Sequence, residues 1–114
     1  MNKIVKLHFA KELTQYQDSL KLSHFEACWN HLERAHILSQ NYWKQHFVVH
    51  CWMFSLALKT KNRKEILGQL PRLLLAIPGS IFNRAPKGNI GSSKVGIFEP
   101  MDLPEDLKLI LKSE

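Results

Sequence analysis

Glu33, His36, His46 and His50 are side chains of metal-ligand type, gathered in the stretch from Glu26 to His50. Residues three or four apart on a helix share a face. Glu33 and His36 would therefore project together, and so would His46 and His50. Neutral imidazoles with a carboxylate suit Zn²⁺, and also non-haem Fe²⁺ or Mn²⁺. Three His and one Glu would fill a tetrahedral zinc site. Two His and one carboxylate with open positions would instead make a reactive face. Carboxylate-bridged di-iron bundles need Glu-x-x-His on two helices plus two further Glu. This chain has one such pair, so a two-fold dimer would have to supply the rest. A plainer reading competes: with 6 His in 114 residues, shared faces arise by chance, and the same set can form a structural His/Glu polar network.

To bring these groups together the chain must double back between the two pairs. Ser39-Gln40-Asn41 is the expected turn. Folding about Asn41 sets His36 across from His46 and Glu33 across from His50. Glu26, on the face of Glu33, and Gln40 are expected as supporting groups, with Asn89 available from further along. His8, His24 and His31 fall off this face and read as surface or packing residues. Cys51 points about 100° away from its neighbour His50 on a helix, and it reads as core, as does Cys28.

Around this hairpin the sequence predicts further helices. Ile4, Leu7, Phe9, Leu13, Tyr16 and Leu20 fall near a helical period over 3–19. Ser23-His24-Phe25-Glu26 has the pattern of a capping box, which starts a second helix ending near Gln40. A third runs from about Tyr42 to Lys59, apolar on most sides. A fourth begins at Asn62, with an apolar face of Ile66, Leu67, Leu70, Leu73, Leu74 and Ile77. Pro71 should kink or break it, and Pro78-Gly79 should end it. From Ser80 to Asp102 the Gly and Pro content excludes a long regular element. Ile81, Phe82, Val95, Ile97, Phe98 and Met101 make that stretch too apolar for a free tail. Leu103-Pro104 then opens a short helix to about Lys112.

Length and composition allow one domain, residues 1–114, with the loop 80–102 packed on the helices. Net charge is +6, compatible with nucleic acid, anionic lipid or an acidic partner. The basic residues are spread out, although Lys59, Lys61, Arg63 and Lys64 cluster at one tip, joined by Arg72 and Arg84. Without a DNA-binding motif or interleaved aromatics, nucleic acid is not favoured. No apolar run reaches the ~20 residues of a membrane span, so no membrane is expected. Two cysteines make no disulfide framework. There is no P-loop, dinucleotide fingerprint or nucleophile elbow, and no organic cofactor is expected. Lys87-Gly88-Asn89-Ile90-Gly91-Ser92-Ser93 reads as a loop with turn glycines rather than an anion nest.

His31-Leu32-Glu33-Arg34-Ala35-His36, Gln40, His46 and His50-Cys51-Trp52-Met53 resemble the uncharacterised bacterial family known as domain of unknown function 3703. The resemblance continues through Leu67-Gly68-Gln69-Leu70, Pro78-Gly79-Ser80 and Pro86-Lys87-Gly88-Asn89-Ile90-Gly91. It ends in Phe98-Glu99-Pro100-Met101-Asp102-Leu103-Pro104. It implies no activity; the family's association with heavy-metal resistance genes favours a metal. Ile90 stands where such proteins tend to carry Thr, which speaks against a hydroxyl-dependent role there.

The expectation is an all-α protein of two packed antiparallel helical hairpins in a tetratricopeptide-like arrangement, without a true repeat, followed by an ordered loop and a short helix. It would be a cytoplasmic bacterial protein binding a divalent transition metal, Zn or Fe, through Glu33, His36, His46 and His50. Glu26, Gln40 and Asn89 would support that site. The alternative is a non-enzymatic helical-hairpin interaction module, with the same side chains as an internal clasp. The sequence leaves open whether the protein is an enzyme, and admits a homodimer or a protein partner.

Overall fold

A computed structural model of the chain describes residues 1–81 and 86–114. The described residues form five helices, α1 (Lys3–Lys21), α2 (Phe25–Ser39), α3 (Trp43–Lys59), α4 (Arg63–Ile81) and α5 (Glu105–Leu111), and no strand. The most extensive packing is of α1 on α2 and of α3 on α4; α2 meets α3, and α5 closes over α1 and α2. None of the helices is long and apolar enough to cross a membrane. Phe82 and Arg84, named above for the loop and the basic cluster, lie outside the described residues.

The turns inside the two hairpins are built alike. At the end of α1, His24 N–H donates to the Ser19 carbonyl at 2.9 Å and Ser23 N–H to that of Leu20 at 3.0 Å. Ser23 sits at φ +57°. This is a Schellman closure, with Ser23 in the left-handed position usually given to glycine. It explains why the expected capping box is absent. Ser23 is used to end α1, and α2 starts from His24 with no side-chain cap. At the end of α3, Asn62 N–H donates to Ala57 and Lys61 N–H to Leu58, with Lys61 at φ +53°. Here Asn62 does cap the next helix, its Oδ1 accepting from Glu65 N–H at 3.2 Å.

The apolar core is supplied by α1, α2, α3 and α5. Val5, Cys28, Leu32, Val49, Met53 and Leu107 are among its buried members. A polar clamp joins three of these helices. Glu12 on α1 accepts from Arg34 Nε on α2 at 2.8 Å and lies 2.9 Å from His31 Nδ1. Arg34 also engages Asp106 on α5.

Helix α4 departs most from expectation. It runs unbroken through Pro71 and Pro78 to Ile81. Both prolines are outside the core, so the carbonyls that lose an N–H partner four residues earlier, on exposed Leu67 and Leu74, can turn to water. Its buried side is also not the apolar one. Leu67, Leu70 and Leu74 are exposed, whereas Glu65, Gln69, Arg72, Ala76 and Ser80 are buried at spacings of three and four. Arg72 is thereby removed from the basic surface cluster. The helix turns a polar stripe inward, and that stripe serves the site described next.

Candidate functional site

His36 sits near the end of α2, and His46 and His50 sit one turn apart on α3. All three are buried, at 3%, 5% and 2% exposure, and their Nε2 atoms form a triangle. His36 to His50 is 3.0 Å, His36 to His46 is 3.0 Å, and His46 to His50 is 3.1 Å. The doubling back at Asn41 makes this possible. Tyr42 N–H donates to the Ser39 carbonyl at 2.9 Å in the turn, and the last turn of α2 faces the first turns of α3.

The other ring nitrogens fix the tautomers. His36 Nδ1 lies 2.7 Å from the carbonyl of Asn89, which can only accept. His50 Nδ1 lies 2.7 Å from Gln69 Oε1. The Gln69 amide is itself oriented, since its Nε2 donates to the Gly91 carbonyl at 3.0 Å and to Glu65 Oε2 at 3.3 Å. His46 Nδ1 lies 2.7 Å from Ser80 Oγ. That hydroxyl donates its one proton to the Gln40 carbonyl at 2.6 Å, leaving a lone pair for the imidazole. Each ring therefore carries its proton on Nδ1, and each Nε2 presents a lone pair to the same point.

Three lone pairs at this separation repel unless a cation lies between them. A proton is a poor candidate. Burial pushes His46 down to about 4, partly opposed by the Ala76 carbonyl. Burial and the charge of His46 push His50 down to about 3. His36 is held well below its ordinary value by burial, by the other two imidazoles and by Arg72. A metal ion fits the triangle. Donor atoms 3.0–3.1 Å apart correspond to bonds of about 2.05 Å meeting at roughly 95°. The three imidazoles are the group of His, Cys, Asp and Glu among the described residues that could hold a metal.

The three imidazoles border a cavity of about 480 Å³. Leu75, Ala76 and Pro78 of α4 and Ile97 and Phe98 of the loop line it, with Arg72 beside the imidazoles. The loop is anchored through two side chains, Gln40 and Asn89. Gln40 accepts from Gly88 N–H at 3.1 Å and donates to the Pro86 carbonyl. Asn89 Nδ2 donates to Gly96 and Glu99 carbonyls at 2.9 and 2.7 Å. Asn89 Oδ1 accepts from Gly91 N–H at 2.9 Å. Gly91, at φ +84°, is pressed against the His36 ring; a Cβ there would stand 2.4 Å from Cδ2.

The structure thus brings together three of the expected ligands, His36, His46 and His50, and seats Gln40 and Asn89 around them. It does not bring Glu33 to the imidazoles. The Glu33 carboxylate turns to the loop instead, where Lys94 Nζ approaches Oε2 at 3.1 Å as an ion pair without hydrogen-bond geometry. The hairpin pairing that set Glu33 opposite His50 therefore fails, because His36 alone faces both imidazoles of α3. Glu26 is exposed on a shallow surface depression with His24, Phe25 and Asn30, away from the cluster. Gln69, Ser80, Gly91 and Arg72 were not anticipated. The signal of Gln69, Arg72 and Ser80 was present as polar residues recurring at helical spacing inside an apolar helix.

The family model described as Protein of unknown function (DUF3703) matches residues 3–111. No curated protein and no solved structure matches the chain.

Proposed function

The chain belongs to the DUF3703 family, and we propose that it is a metal-binding helical protein whose His36, His46 and His50 together hold one divalent ion. A single observation carries this reading: three tautomer-locked lone pairs converge in a buried site where protons are disfavoured. The same feature weighs against an internal polar clasp. A clasp needs donors facing acceptors, whereas here every donor points outward and only acceptors meet. Each Nδ1–H is oriented by an oxygen behind it, which is how proteins fix metal-bound imidazoles and raise their basicity.

Three neutral nitrogens without a carboxylate suit Zn²⁺ better than Fe²⁺, whose mononuclear oxygenase sites use two His and a carboxylate. Structural zinc sites are closed by four protein ligands, while three with an open position characterise reactive or ligand-binding sites. A bound ion would supply Lewis acidity at that open position, toward the cavity. The chain's own residues orient the rings, exclude bulk water and line the space where a further ligand would sit.

The test is metal analysis and titration of untagged protein. Near-stoichiometric Zn²⁺ is expected, and its loss in a His46→Ala, His50→Ala variant whose helical circular dichroism is retained. Wild-type protein that takes up no ion when titrated at neutral pH would overturn the reading.

A further inference from the structure

We propose that the cavity beside the three imidazoles binds a small carboxylate with an apolar body, its head group shared between the metal and Arg72. This rests on the metal reading above. The carrying observation is Arg72, a buried arginine among the residues lining the cavity, which makes no ion pair with a carboxylate among the described residues. Arg72 is 7% exposed. It donates to the carbonyls of Gly68 and Val95, each at 2.7 Å. Among the described residues no acidic side chain forms an ion pair with it, and residues 82–85 include no Asp or Glu. Burial pulls its pKa down, opposed by the charge of Glu65, which lies outside ion-pair contact with it. That carboxylate is already engaged by Ser93 N–H and Oγ and by Gln69.

Charge balance then points to the ligand. Three neutral imidazoles would leave a divalent ion's charge uncompensated, and Arg72, offset only by Glu65 at longer range, lines the same cavity. Buried charges are stable only when paired. A bound anion would neutralise both centres at once, and Arg retains N–H groups beyond the two committed to carbonyls. The remaining walls fix the rest of the molecule. Gln40 and Asn89 also line the cavity, with amides already bonded to the loop. Leu75, Ala76, Pro78, Ile97 and Phe98 offer no hydrogen bonds from their side chains, which favours an apolar body behind the head group. A volume of about 480 Å³ lies within the usual range for small-molecule sites. Inorganic anions would satisfy the charge and leave the apolar space unused.

The experiment uses full-length protein loaded with Co²⁺, whose visible spectrum reports its coordination sphere, titrated with octanoate, benzoate, acetate and inorganic phosphate. Octanoate or benzoate should shift the spectrum saturably and bind at least about tenfold more tightly than acetate or phosphate, because only they fill the apolar walls. Arg72→Met should weaken octanoate about tenfold or more while Co²⁺ still loads, and Arg72→Lys should recover part of the loss. The comparison of four anions on unaltered protein stands even if the Arg72 variants fail to fold. Co²⁺ that loads but gives a spectrum indifferent to millimolar octanoate and benzoate would overturn this proposal and leave the metal reading intact. Acetate or phosphate binding as tightly as octanoate would overturn it too. Failure of Co²⁺ to load would overturn both.

Discussion

Replacing Gly91 with alanine gives the sharpest test of how the site is positioned. The new Cβ would meet His36 Cδ2 at 2.4 Å, Cγ at 2.6 Å and Nε2 at 2.7 Å. Comfortable carbon contacts begin near 3.5 Å, so the ring has to withdraw by about 1 Å. It cannot do so freely, because its Nδ1 is tied to the Asn89 carbonyl, two residues from the substituted position. The backbone at φ +84° adds about 1–2 kcal/mol for any side chain, and the overpacking about 1–3 kcal/mol. Together the metal-free protein should lose about 2–5 kcal/mol, a fall in Tm of about 10 °C or more. Metal affinity should suffer more. Ligand distances must hold to within about 0.2 Å, so a 1 Å retreat removes one ligand of three. We expect at least about a hundredfold weaker Zn²⁺ binding by competition with a chromophoric chelator. Gly96→Ala is the control: its nearest neighbour, Glu99 Cβ, is 3.8 Å away, and stability should change by less than about 0.5 kcal/mol. Zn²⁺ affinity in Gly91→Ala equal to that of the unaltered protein would refute the reasoning.

Further outcomes are expected. The three imidazoles have folded-state pKa values below the ordinary value, with His46 near 4 and His50 near 3. Their contribution to the stability of the metal-free protein is thus complete above about pH 6.5 and is lost as pH falls toward those values. Integrated linkage gives about 2 kcal/mol each for His46 and His50 between about pH 7 and pH 5, with His36 acting in the same direction. Urea unfolding at several pH values reads this directly, and a flat profile would contradict it. Gln69→Leu strips His50 Nδ1–H of its acceptor and should weaken Zn²⁺ about 10–100-fold by isothermal calorimetry. An unchanged affinity would show that this amide does not orient the ring. Arg34→Met opens the clamp to Glu12 and Asp106 and should cost about 1–3 kcal/mol by chemical denaturation with Zn²⁺ binding unaltered. A drop in affinity would show that the clamp and the site are coupled.

Much of the helical frame was legible because periodicity and turn chemistry agree there. The doubling back at Ser39-Gln40-Asn41, the cap at Asn62 and the pairing of His46 with His50 all follow from local rules. The misreadings share one cause, which is that a local rule was overridden by a demand from elsewhere in the fold. Ser23 matches a cap pattern, but it is consumed in ending α1. Pro71 and Pro78 should interrupt a helix, but they stand on its solvent side, where unpaired carbonyls meet water. The leucines of α4 look like a core face, yet the buried face is the one carrying Glu65, Gln69, Arg72 and Ser80. Glu33 has ligand chemistry and helical spacing from His36, but Lys94 arrives from a loop whose path no periodicity reveals. Gly91 was readable as a turn residue. Its contact with an imidazole more than fifty positions earlier was not, because that contact exists only once the loop is laid over α2.

The origin of the groups behind the imidazoles has a mechanical consequence. The rings come from α2 and α3, while their anchoring oxygens come from α4 and from the loop at Asn89. The apolar interior takes its buried members from the other helices. An ion seated among the rings would act as a rivet, adding to the packing of α4 on α3 a fastening that runs through the rings to α4 and its loop.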